Sequence, residues 1–183
     1  MQIVLSIDPG LSGGLCALGI DETTSKIQKV LHLAPMPCTA DGRVDVVEIH
    51  RILRALKQRG SVFVALERAQ AMHKASAPGM VHRDGSKQAF TTGRNYGRLE
   101  ALVEVLKVPH VMFTPAKWQN AMFKGLSDNL NTKEKSVLTV ERRLPSVNLL
   151  ASKRSRKPHD GMADAACIGL YAVGLIKAGE ISV

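Results

Sequence analysis

Apolar positions fall first into short, nearly continuous runs and later into helically spaced sets. IVLSID (3–8) is an apolar, β-branched run closed by Pro9-Gly10, which predicts a buried strand. Gly13-Gly14 interrupts the chain, and LCALGI (15–20) predicts a second strand forming a hairpin with the first. After the turn residues DETTS (21–25), IQKVLHL (27–33) alternates as a third strand would, and two prolines and a glycine make 34–43 a loop. Val46, Val47, Ile49, Ile52, Leu53 and Leu56 then recur at helical spacing within 44–57, with Gly60 as a stop just past that helix.

SVFVALE (61–67) predicts a fourth strand that ends in a glutamate. Residues 73–87 are polar, basic and without period, which predicts a mobile loop. Leu99, Leu102, Val103 and Leu106 mark one face of a helix over 90–106, and VMF (111–113) is a short strand. Pro115 suits the first turn of a helix running to about Phe123. Further helices are predicted over 132–144 and 160–176, separated by the basic linker SKRSRKPH (152–159). This order predicts an α/β fold: one domain over 1–183, with a mixed central sheet of about five strands flanked by helices.

Composition narrows the class. Hydrophobic residues at 45% and charged residues at 22% suit a soluble globular protein. No apolar run approaches the roughly 18–20 residues of a membrane helix, and the opening MQIVLSIDPG has neither the basic leader nor the uninterrupted apolar stretch of a signal peptide. Cys16, Cys38 and Cys167 are odd in number and far apart, with no CxxC pair for zinc, so the expectation is a reduced, cytoplasmic protein. The net charge of +9 favours a polyanionic partner such as nucleic acid. That excess is uneven: residues 67–98 hold six Lys/Arg against two acids, whereas 1–66 hold seven against six.

Acids stand where such a sheet could bring them together. Asp8 ends the first strand and Glu67 the fourth; if those strands are adjacent and parallel, both carboxylates emerge at one edge. Asp160 and Asp164 are four apart at the start of the last helix and share a face. Carboxylates gathered at buried strand ends repel one another, and hard divalent cations, Mg²⁺ or Mn²⁺, would relieve that repulsion. Two such ions roughly 3.5–4 Å apart can activate a water and stabilise the leaving oxygen of a phosphodiester. Blander readings stay open for each acid. Asp8 in Asp-Pro-Gly suits a turn, Glu67 an ion pair with Arg68, and Asp160 a helix N-cap. Asp164, set within MADAACIGLYA, is the hardest to read as structural.

DPGLSGG (8–14), ERAQAM (67–72), GRNYGR (93–98), TPAKWQ (114–119), EKSV (134–137) and DGMADAA (160–166) together resemble, in order along nearly the whole chain, the RuvC family of Holliday-junction resolvases, and within it the phage-type branch. The resemblance implies a ribonuclease-H-like fold and a homodimer that nicks four-way DNA junctions symmetrically with two divalent metals. It makes Asp8, Glu67 and Asp164 the metal-binding catalytic acids. Some members carry a ligand three residues before the last acid; here that position is Gly161, which leaves Asp160 as the fourth ligand, or less readily His159. Lys135 matches a basic residue near the family's site, while a second family lysine falls at Gln119, with Lys117 as its substitute. Met72 or His73 would probe the junction centre, and the dimer would form through the apolar face of helix 90–106.

The cations beside the acids, Arg68, Lys74, Arg83, Lys87, Arg94 and Arg98, are candidate phosphate contacts, as are Lys117 and Lys135; Lys153, Arg154, Arg156 and Lys157 form a second basic patch. Aromatic residues at 4% leave little room for base stacking. Other readings are a branched-DNA-binding module without activity, a nuclease acting on other branched DNA, or a domain of the actin-like ATPase and sugar-kinase class, whose phosphate hairpin DPGLSGG also resembles. The last class needs a duplicated domain and an adenosine-binding glycine segment, which this sequence does not show.

Overall fold

The computed structural model describes residues 1–69, 73–76, 80–83 and 85–181. Strands β1 (Gln2–Asp8), β2 (Gly14–Ile20) and β3 (Ile27–Pro35) form an antiparallel meander. β4 (Ser61–Glu67) and β7 (His110–Phe113) continue the sheet on the other side of β1, parallel to it, giving the order β3-β2-β1-β4-β7. β1 and β4 are central, so their middle residues are buried on both faces, which is why they read as unbroken apolar runs.

The sheet separates two cores. Ile3, Leu5, Ile7, Val62, Val64 and Leu66 face α1 (Val46–Lys57) and α2 (Ser86–Val105). Val4 and Ala65 face the opposite layer, which holds α3 (Pro115–Met122), α4 (Thr132–Arg143) and α5 (Asp160–Lys177). Because side chains alternate along a strand, Asp8 shares the face of Val4 and Ser6, and Glu67 shares that of Ala65. Both acids therefore project toward the α5 layer. Their register is equally direct: Ile7 pairs with Leu66 in the parallel ladder, so the two strands end side by side.

α5 sits close against the sheet because small groups let it. The Ser6 hydroxyl donates to the Ala165 carbonyl at 2.6 Å, and a Cβ at Gly169 would stand 2.7 Å from that same hydroxyl oxygen. At the helix start, a Cβ on Gly161 would lie 2.2 Å from the Ser12 carbonyl oxygen and 2.4 Å from the Gly13 Cα. The turn after Asp8 and the first turn of α5 thus touch backbone to backbone.

Three expectations change. Residues 73–87 are not simply a loop: β5 (His73–Ser76) and β6 (Met80–Arg83) form an antiparallel hairpin, and α2 begins at Ser86. Among the described residues the hairpin pairs only with itself, so no sheet demands the alternation that would have marked it. Gly60 does not terminate α1 in a left-handed conformation; Gln58 is the C-cap, and glycine is required at 60 because a Cβ would lie 1.9 Å from the Met1 carbonyl oxygen. The apolar face of α2 is spent on the core: Leu99 and Val103 are buried, with Leu102 and Leu106 packed against the same cluster. That face is not available for a dimer.

Candidate active site

Asp8, Asp160 and Asp164 line one cavity of about 270 Å³ with Ser12, Lys133 and His159. Glu67 lies beside it at the neighbouring strand end. Its charge and those of Asp8 and Asp164 are close enough to disturb one another. Burial, then repulsion from Asp164, pushes the Asp8 carboxyl from 3.8 to about 7, against a smaller lowering from the Gly10 N–H. Burial, then Asp8, raises Glu67 from 4.5 to about 7; the Trp118 N–H opposes this and Asp164 adds to it. Asp164 is raised chiefly by burial, with Asp160 adding and the Ser136 hydroxyl and Lys133 opposing. Three partly desolvated acids that destabilise one another's charge cost the fold stability rather than adding to it.

Each acid has a distinct partner. The Asp8 Oδ1 accepts a long 3.4 Å contact from the Gly10 N–H, so its turn chemistry is present but weak. Glu67 is not paired with Arg68; its Oε2 accepts from the Trp118 indole N–H at 2.5 Å. Asp164 Oδ1 accepts a very short hydrogen bond from the Ser136 hydroxyl. Asp160 Oδ2 meets Lys133 Nζ at 2.6 Å. Asp160 is not the N-cap of α5: His159 is, with its Nδ1 accepting from the Met162 N–H at 3.3 Å. That bond commits one ring nitrogen of His159 to the helix and weakens its claim as a ligand.

The donor set consists of hard carboxylate oxygens, with Lys133 the cation nearest to hand, so it fits Mg²⁺ or Mn²⁺ in kind. Among the described residues no three His, Cys, Asp or Glu side chains are closed around a single point. At position 161 a side chain has no room, since a Cβ there would meet the Ser12 and Gly13 backbone; Asp160, its neighbour, lies on the cavity wall.

The expected cations are scattered. Lys135 does not line the acid cavity; its Nζ lies 3.9 Å from Asp128, and Lys133 takes the place at the rim. Lys117 is exposed on α3, and Lys87 and Arg94 are exposed on the first half of α2, Arg94 lying 5.9 Å over the Phe90 ring. Arg68 is exposed directly after Glu67. Arg98 is tied down, its Nε donating to the Val44 carbonyl at 3.2 Å. His73 and Arg83 are cross-strand partners in the hairpin, with Lys74 next to them opposite His82; Met72 lies outside the described residues. Sequence reasoning missed Trp118 and Ser136. Each sits one residue from a position singled out for a lysine, and on a helix a step of one turns a side chain to a different face.

No family model matches the chain, and no curated protein matches it. Among solved structures it is similar to RuvC of Thermus thermophilus, at 22% identity and a TM-score of 0.61. It is also similar to T. thermophilus RuvC in complex with a Holliday junction substrate, at 20% identity and a TM-score of 0.59. Each likeness covers 97% of this chain and 96% of the other. The fold is therefore α/β and ribonuclease-H-like, built on a mixed five-stranded sheet.

Proposed function

We propose that this chain is a RuvC-type, structure-selective endonuclease that hydrolyses phosphodiesters in four-way and other branched DNA. The observation that carries the reading is the meeting of Asp8, Glu67 and Asp164: two side-by-side parallel strand ends and the helix laid across them, each acid destabilised by burial and its neighbours. A ribonuclease-H-like fold covering the length of RuvC adds to it, as do the six segments that resemble that family in order.

Asp8, Glu67 and Asp164, with Asp160 at the rim, would hold two Mg²⁺ or Mn²⁺ ions. Bound there, the ions supply an activated water and charge stabilisation for the leaving oxygen. The chain's own part is to hold the carboxylates and to bring phosphates over them. Arg68, Lys87, Arg94 and Lys117 are exposed and suited to phosphate contact; His73, Lys74 and Arg83 would add charge from the hairpin. Symmetric nicking calls for a second copy. A monomeric mass by light scattering at cleavage concentrations would remove this element.

The test is a panel of a synthetic four-way junction, a three-way fork and a matched linear duplex, each with Mg²⁺, Mn²⁺ or chelator. Cleavage of branched DNA alone, abolished by chelator, is expected. No cleavage of any branched substrate, or equal cleavage in chelator, contradicts the reading.

A further inference from the structure

Glu67 and Asp164 are held by neutral donors, and this sets them apart from the fourth acid. Trp118 is 1% exposed on α3, packed edge-on against Phe123 with ring centroids 5.5 Å apart. Its place is fixed by that packing, and its indole N–H, closed off from water, is aimed at Glu67 Oε2 at 2.5 Å. Ser136 is fully buried on α4, where its carbonyl also accepts from the Cys167 thiol of α5 at 3.6 Å, and its hydroxyl reaches Asp164. Each bond occupies one carboxylate oxygen and leaves the other uncommitted. An indole or hydroxyl can do this without cancelling the negative charge, whereas Lys133, at 2.6 Å from Asp160, offsets the charge it touches.

We propose that Trp118 and Ser136 are positioning residues, which fix the orientation of Glu67 and Asp164 from α3 and α4 so that each presents one free oxygen to a divalent cation. The inference rests on the nuclease reading above and deepens it. It divides the acids into two kinds: Glu67 and Asp164, oriented by neutral donors, are strong ligands, while Asp160, compensated by Lys133, is a weak one. It also gives the three helices of one layer a common task, since α5 supplies an acid and α3 and α4 supply the groups that aim two of them. Partners of this sort typically tune metal affinity by about 10- to 100-fold when removed.

Direct calorimetric titration of Mn²⁺ into the wild-type protein, Trp118→Phe and Ser136→Ala tests this, with junction affinity measured in chelator beside it. Trp118→Phe keeps an aromatic ring and loses the N–H; Ser136→Ala loses only the hydroxyl, so the second remains informative should the first fold poorly. The expected result is Mn²⁺ binding weakened about 10- to 100-fold in both variants, with junction affinity in chelator unchanged. Wild-type Mn²⁺ affinity in both overturns the proposal, as does a parallel loss of junction affinity, which would mark a merely structural role. If the wild-type protein itself binds no Mn²⁺, the nuclease reading fails first and takes this inference with it.

Discussion

Asp8 and Glu67 each end a strand whose preceding residues are buried, and both carboxyls are pushed to about 7. Their folded values lie above those of the unfolded chain, so the folded state keeps protons that the unfolded state releases. Stability from these groups is complete below about pH 4 and is lost as pH rises through about 7. In chelator, thermal unfolding should therefore occur at lower temperature at pH 8 than at pH 5.5, and added Mn²⁺ should restore part of the difference at pH 8. A midpoint independent of pH over that window would mean that the two acids are not destabilised as described. Cys16 and Cys167, by contrast, are buried thiols pushed up to about 12, and they serve packing rather than chemistry. Asp8 and Glu67 stood out in the sequence because each closes an apolar run, and Asp164 because it interrupts one. Trp118 and Ser136 did not, because a buried indole or hydroxyl looks like ordinary core until its partner across the fold is known.

At the scale of elements, the docking of α5 on the β1–β2 turn sets the distance between Asp8 and the acids of the last helix. Gly161 is the contact point, with Ser12 and Gly13 backbone where a Cβ would stand. Gly161→Ala should destabilise the protein by about 2–3 kcal/mol or more and weaken Mn²⁺ binding with it, measured by urea unfolding and by titration. A wild-type unfolding midpoint would show that the turn and helix can part without cost. The strands and α1 were readable from periodicity because each buries one or two faces; Asp45 caps α1 by accepting from the Val47 and Glu48 N–H groups at 3.1 Å. The hairpin of β5 and β6 was not readable, since a ribbon outside the main sheet has no obligatory apolar face. The parallel pairing of β1 with β4 could be posed from sequence only as a condition, because strand adjacency is decided by long-range packing.

The whole molecule carries +9, and one concentration of its cations follows Glu67 along the hairpin and α2. If Lys87 and Arg94 each neutralise one phosphate, replacing either by alanine should reduce the salt slope of junction binding by about 0.9, with little change in the unfolding midpoint. Binding in which neither change alters the slope would move the DNA path off α2. The central claim is that the carboxylates act on DNA rather than merely shape a turn. Its most direct measurement is single-turnover cleavage of a four-way junction in Mg²⁺ by Asp8→Asn against the wild-type protein, with junction affinity determined in parallel. The predicted result is cleavage abolished and affinity retained; cleavage at the wild-type rate, or loss of cleavage and binding together, would contradict it.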